Sequence, residues 1–251
     1  MKIHHINCVK IESPFGPAIG HCMLLVENEK LILIDSGIGL DETKRPNELL
    51  GKELVEITGY RFDENLTAIK QIRKLGYQPD KVENIICSHL DPDHIGGLMD
   101  FPDAKIHTSQ EEFDCFNSGH ERYIPRQLSH NPQIELYKNN DSVLFGLPAR
   151  KLNLNFASDI YLVPLFGHTL GHCAIAFKDN GRWILYTGDA YYYRDELANE
   201  NHPVDQLATV AAMDNELRKE SLDKLRRVIR NNGQEINYFG YHDPNEFKLR
   251  I

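Results

Sequence analysis

Four short apolar runs in this chain each end on an imidazole or a carboxylate, and that repetition constrains the fold more than any other feature. Asn84-Ile85-Ile86-Cys87-Ser88 leads into His89-Leu90-Asp91-Pro92-Asp93-His94. The run 160–166 delivers Gly167-His168-Thr169-Leu170-Gly171-His172. Trp183-Ile184-Leu185-Tyr186 delivers Thr187-Gly188-Asp189, and the run 236–239 delivers Gly240-Tyr241-His242. In α/β sheets, ligand sites gather in loops just beyond strand ends. Four strands bringing these groups to one edge predict a metal site. Such donors suit zinc, iron or manganese, and a carboxylate can bridge two cations. Taken singly, an Asp-x-Asp is a turn or a cap and a lone histidine is a surface or core side chain. The cluster carries the reading.

Within 89–94, alternating positions of an extended chain point to one side, and the adjacent Asp93-His94 pair is free to turn toward a second ion. Gly96-Gly97 follows at once, where backbone can approach closely before a helix begins.

The rest of the pattern is α/β, with helices packed over sheet. Cys22 to Val26 and Leu31 to Ile34 read as a hairpin across residues 27–30. Cys173 to Phe177 and Trp183 to Tyr186 read as another, with Asn180-Gly181 supplying positive φ. Phe62, Leu66, Ile69, Ile72 and Leu75 recur at helical spacing until Gly76. Leu217, Leu222, Leu225, Val228 and Ile229 mark a second amphipathic helix, ended by Asn232-Gly233. Residues 118–156 carry Gly119, Pro125, Pro132, Gly146 and Pro148 and predict loops and short strands that cover a site. No repeat or low-complexity linker divides the chain, so 1–251 is expected to be a single domain.

At 251 residues the chain is long enough to bury a full core. Its formal charge of −9 disfavours nucleic acid and basic membrane-surface binding. No apolar run approaches a bilayer span, and the first residues lack a signal-peptide apolar region. The five cysteines contain no C-x-x-C pair and read as buried thiols in a reducing compartment. The expected location is the cytoplasm.

These motifs resemble the metallo-β-lactamase superfamily, from Asp35-Ser36-Gly37 after the first hairpin to His242. The resemblance implies an αββα sandwich of two mixed sheets flanked by helices. It implies two divalent metal ions, zinc first, with iron or manganese as alternatives. One ion would be held by His89, Asp91 and His168 and the other by Asp93, His94 and His242, with Asp189 bridging. Within the superfamily the likeness is strongest to N-acyl homoserine lactonases. It lies in Arg73-Lys74-Leu75-Gly76-Tyr77-Gln78-Pro79, in Ser88-His89 and in Gly188-Asp189-Ala190-Tyr191-Tyr192. Tyr192 falls where those lactonases place a substrate-contacting tyrosine, with Tyr191 and Tyr193 flanking it. Asp35 resembles the family's structural aspartate. His172 is expected to support a ligand through a hydrogen bond, and Asp243 to form a turn.

One position departs from the family. Asp91 stands where the superfamily usually has histidine. As an oxygen ligand it predicts a harder, more anionic centre, favouring iron or manganese. The same exchange leaves the first position open to weaker loading. Flavodiiron oxidoreductases of the same fold also carry a carboxylate there, although this chain has no room for a flavin domain. Counting Asp91, Asp93 and Asp189 against two divalent ions leaves one positive charge, which a bridging hydroxide cancels.

The expected function is a metal-dependent hydrolase whose bridging hydroxide opens an ester or lactone such as an N-acyl homoserine lactone. Asp93 and Tyr192 are the expected catalytic side chains, handling the proton and steadying the oxyanion. Thioester or phosphodiester hydrolysis and an iron-dependent oxidoreductase are the alternatives, and a binding protein would lack so full a ligand set. The expected partner is a small-molecule substrate, with no nucleic acid and no membrane, and a homodimer stays open. An acyl chain is expected along Phe15, Ile19 and the region Leu144 to Leu147.

Overall fold

A computed structural model describes residues 1–251. One sheet contains β1 (Lys2–Ser13), β2 (Gly16–Glu27), β3 (Lys30–Ile34), β4 (Tyr60–Arg61), β5 (Val82–Ile86), β6 (Lys105–Ser109) and β7 (Ile134–Tyr137), in the order β4-β1-β2-β3-β5-β6-β7. The other contains β8 (Ser142–Leu144), β9 (Leu147–Lys151), β10 (Ile160–Pro164), β11 (Cys173–Asp179), β12 (Arg182–Tyr186) and β13 (Ile236–Phe239), in the order β13-β12-β11-β10-β9-β8. Both sheets are mixed. β3, β5, β6 and β7 run parallel beside the antiparallel β1–β2–β3 meander, and β13 joins β12 in parallel.

The helices are α1 (Leu40–Lys44), α2 (Lys52–Thr58), α3 (Ala68–Lys74), α4 (Pro92–Ile95), α5 (Gln110–Asn117), α6 (Asp205–Ala211), α7 (Asn215–Asn232) and α8 (Pro244–Lys248). Side chains alternate between faces along a strand, and the second sheet uses both faces. Ile175, Phe177 and Tyr186 join the large core shared with the first sheet, whereas Ala174, Ala176 and Leu185 pack under Leu222, Leu225 and Val228 of α7. Ala68, Ile69 and Ile72 of α3 complete the core of the first sheet. The result is the expected αββα sandwich.

Both expected hairpins form, with Asn28 at φ 55° and Asn180 at φ 48° in their turns. The strands run longer than the apolar runs suggested, because β2 also pairs with β1 from Ser13↔Gly16 to Lys2↔Val26. The helix expected over 62–75 is shorter. The Asp63 carboxylate caps a separate 3₁₀ turn at Glu64–Leu66, and Thr67 is extended at ψ 144° before α3 begins. The segment 118–156 divides in two. Its first part reaches the site, and its second supplies β7, β8 and β9 at the sheet edges.

Candidate metal centre

The loop after β5 is clamped from below by Asp35. Its backbone N–H bonds Ile86, its Oδ1 takes the Ser88 N–H at 2.8 Å, and its Oδ2 takes the Tyr186 hydroxyl at 2.5 Å. The same Oδ2 accepts His94 Nδ1–H at 2.9 Å, which turns His94 Nε2 toward the centre. His242 is oriented the same way: Nδ1 donates to the Ile19 carbonyl at 3.0 Å and Nε2 faces Asp189. Fixing one imidazole nitrogen in this manner sets the tautomer that leaves the other free as a ligand.

All seven expected ligands meet here. His89 Nε2 and His168 Nε2 lie 3.3 and 3.1 Å from Asp91 Oδ2. Asp189 Oδ1 is 3.3 Å from His94 Nε2, and its Oδ2 is 3.0 Å from His242 and 3.4 Å from His168. Asp93, His94 and His242 form a further triad of converging donors. Asp189 therefore touches both groups. Donors around a tetrahedral cation with bonds of about 2.0–2.1 Å sit roughly 3.3 Å apart. His89 Nε2, His94 Nε2 and Asp189 Oδ1 are buried with no hydrogen-bond partner. Orphaned buried polar atoms of this kind are costly, about 1–3 kcal/mol each. The donor types, their separations and the orphaned atoms fit a bound metal cation.

The electrostatics match. Burial alone would raise the Asp91 carboxyl, but the Arg122 guanidinium, together with His89 and His168, outweighs it and holds the group well below the usual range. Asp189 is likewise held down against burial by His242 and His94. His94 goes the other way: burial opposes its charge, yet Asp189, Asp35 and Asp93 raise its pKa well above the ordinary value. Burial raises Asp93.

Sequence reasoning missed two groups. Arg122 brackets Asp91, with Nη2 2.5 Å from Oδ2 and Nε on Oδ1, and Nη2 lies 2.7 Å from His168 Nε2. It adds a positive charge that the count from the ligands alone omitted. A lone arginine in a Gly- and Pro-interrupted segment gave no signal. Glu112 on α5 accepts the Leu90 N–H at 2.9 Å, the Tyr123 hydroxyl at 3.0 Å and the Thr169 hydroxyl at 2.5 Å. It thereby joins the 89–94 loop to the 167–172 loop, and its burial pushes its pKa up to about 7.

The tyrosines separate. Tyr191 donates to Glu246, and Tyr193 donates to the Gly16 carbonyl at 3.1 Å. Tyr192 instead packs its ring edge-on against His242, centroids 5.1 Å apart, and against His168. Asp243 caps α8 by accepting the Asn245 N–H.

A cavity of about 490 Å³ opens directly on these groups. Asp91, Asp93, His168, Asp189, Tyr192 and His242 form one end, and Ile11, Leu50, Leu54, Ile57, Leu207 and Val210 line the rest. The groove expected along Phe15, Ile19 and Leu144 to Leu147 is corrected by this placement. Phe15 lines a separate pocket with Tyr193, Ile19 is buried, and Phe145 and Leu147 face α7 at the far edge of the second sheet. That edge lies at the opposite end of the strand order from β13, so it cannot reach His242.

Known proteins agree with this architecture. A probable metallo-hydrolase of Mycobacterium tuberculosis is 34% identical over 204 residues, covering 78% of this chain. The chain spans only 64% of that relative's length. An N-acyl homoserine lactonase of a Bacillus species is 26% identical over 238 residues, covering 92% of this chain and 84% of its own. A solved N-acyl homoserine lactone hydrolase, with N-hexanoyl-L-homoserine at its catalytic metal centre, superposes with TM-score 0.76 at 21% identity, covering 99% of this chain and 95% of its own. The metallo-beta-lactamase superfamily profile matches residues 15–233. With the two-sheet sandwich and the donor cluster at its strand ends, this match places the chain in the metallo-β-lactamase superfamily.

Proposed function

We propose that the chain is a metal-dependent hydrolase opening an ester or lactone that carries an apolar acyl arm, an N-acyl homoserine lactone being the model substrate. One observation carries this reading: Asp91, Asp93, His168, Asp189 and His242, five of the converging donors, stand at one end of a cavity lined largely by apolar side chains. His89, Asp91 and His168 would hold one divalent ion and Asp93, His94 and His242 a second, with Asp189 shared between them. Zinc is the first candidate for imidazole-rich donors. Bound divalent ions supply Lewis acidity and make hydroxide available from water at neutral pH.

The chain's own residues set up the rest. Ile11, Leu50, Leu54, Leu207 and Val210 receive the acyl arm and exclude water from it. Tyr192, which lines the cavity with its ring against His242 and His168, donates its hydroxyl to the oxygen that gains charge as the carbonyl is attacked. Asp93 takes the proton released at attack and returns it to the leaving alkoxide. Arg122 is the sole lysine or arginine lining the cavity and is already committed to Asp91. A phosphodiester would meet no free cationic side chain there, so the ester reading is favoured over that alternative.

The test is hydrolysis of a lactone, thioester and phosphodiester panel by metal-loaded and chelated protein, with dioxygen consumption followed in parallel. Lactone turnover that disappears on chelation and returns with zinc is expected. Full activity after chelation, or turnover confined to phosphodiesters, overturns the reading. Dioxygen consumption without hydrolysis identifies an oxidoreductase instead.

A further inference from the structure

Arg122 is fastened at three points. Its Nε and Nη2 bracket both oxygens of Asp91, Nη2 lies 2.7 Å from His168 Nε2, and Nη1 donates to the Ala211 carbonyl at the end of α6. Its side chain is only 15% exposed and that of Asp91 11%. Asp91 Oδ2 is also the oxygen that faces His89 and His168, at 3.3 and 3.1 Å. The guanidinium, the carboxylate and the two imidazoles thus share one point.

Resting on the metal-centre reading, we propose that Asp91 and Arg122 act together as a single neutral ligand of the first cation position, replacing the histidine of the family pattern. The carboxylate brings one negative charge and the guanidinium one positive charge that it never loses. Their sum is that of a neutral imidazole. The arginine occupies one lone pair on each carboxylate oxygen, so Oδ2 keeps another for a cation, while the Arg122 Nη2 contact to His168 Nε2 must give way when that nitrogen takes the cation. Arg122 thereby orients the ligand atom as well as balancing its charge. It is a positioning residue.

On this pairing the centre is no more anionic than with a histidine at 91, although its donor there stays an oxygen. Asp91, Asp93 and Asp189 contribute −3 and Arg122 contributes +1, so the side chains sum to −2. A histidine at 91 without the arginine gives the same −2. The exchange at 91 is therefore electrostatically silent as long as Arg122 stays. Either partner alone is unfavourable: Asp91 alone adds an unpaired buried carboxylate, and Arg122 alone leaves a buried guanidinium against a bound cation. The bond to Ala211 adds a geometric condition, because segment 118–124 and the end of α6 must both close over the site for the pair to form.

The experiment is a zinc titration of chelated protein by calorimetry, with metal content measured on the loaded protein. Wild type is expected to bind two equivalents. Arg122→Met is expected to keep one tight equivalent, which also reports correct folding, and to weaken the other by about 10- to 100-fold. Asp91→His alone is expected to weaken the same equivalent. Asp91→His combined with Arg122→Met is expected to restore it. Where Arg122→Met does not fold, Arg122→Gln takes its place with the same expected loss. An Arg122 variant that binds the first ion as tightly as wild type, or more tightly, overturns the proposal by making the arginine a bystander or a competitor. A double variant as weak as the single ones also overturns it. Wild-type protein that binds no cation overturns both this proposal and the metal-centre reading. Restoration without hydrolysis of any ester upholds the ligand pair and overturns the hydrolase reading alone.

Discussion

His172 Nε2 accepts the backbone N–H of Asp189 at 3.0 Å while its Nδ1 donates to the Leu165 carbonyl at 2.9 Å. Burial, aided by His168, pushes its pKa down to about 4, so the ring is neutral and its tautomer is fixed by these two bonds. The imidazole holds the carboxylate that lies between the two donor groups. Gly188 sits against it, and a Cβ there would come within 2.7 Å of His172 Nε2. Replacing His172 by leucine strands the Asp189 N–H and frees the loop. Zinc affinity is expected to drop about 10- to 100-fold, as for other residues that orient metal ligands. Unchanged affinity in a calorimetric titration would remove His172 from the centre.

Tyr192 is the tyrosine expected to act on substrate. Tyr192→Phe should lower kcat about 10- to 100-fold with KM and metal content near wild type, since it removes one donor used mainly as charge develops. Tyr191→Phe should leave kcat near wild type and cost stability, about 1 kcal/mol, through its lost bond to Glu246. Steady-state kinetics on the two variants separate these roles. Equal effects on kcat would contradict the assignment.

The aliphatic walls predict a preference for longer acyl arms. Each added methylene that enters the cavity is worth about 0.8 kcal/mol, or roughly fourfold in kcat/KM, until the space is filled. Leu207 is 36% exposed on the cavity wall, so Leu207→Glu should fold normally while flattening this dependence. A chain-length series measured on both proteins is the check, and parallel slopes would place the arm elsewhere.

Glu112 gives a pH signature. Burial pushes its carboxyl up to about 7 in the folded chain, against an ordinary value of 4.5. Below pH 4.5 both states carry the proton and nothing is lost. Between pH 4.5 and 7 the unfolded chain releases it while the folded chain keeps it, so this group's contribution to stability falls as pH rises. The loss is complete above pH 7 and is on the order of 3 kcal/mol. Glu112→Gln retains a carbonyl oxygen for the Leu90 N–H and removes the titration. Its stability relative to wild type should rise across pH 4.5–7 in denaturant melts. A constant difference would show that Glu112 does not titrate in that window.

The residues whose donor atoms converge were legible because their chemistry is local in the chain. An apolar strand that ends in His89, His168, Asp189 or His242 carries its own address, since the end of a strand in such a sheet is where a site forms. The turns were legible for a similar reason: Asn180-Gly181 adopts positive φ at both residues, 48° and 81°, in the tight connection between β11 and β12. β1 was missed because its pairing with β2 declares itself only through cross-strand register, which shifts between Asn7 and Lys10.

The sequence by itself determined which donors this protein brings together and on what kind of sheet edge they sit. Only the tertiary structure decided the charge of that centre and the shape of the space beside it. Arg122 meets Asp91 across 31 residues of chain and Ala211 across 89, and no periodicity or motif encodes such a meeting. The cavity wall likewise draws on β1, α2 and α6, elements that become neighbours only after both sheets have packed. Strand ends are specified by local hydrogen bonding and alternation. Contacts between distant loops depend on the closure of the whole chain, and there the exchange of histidine for Asp91 finds its counter-charge.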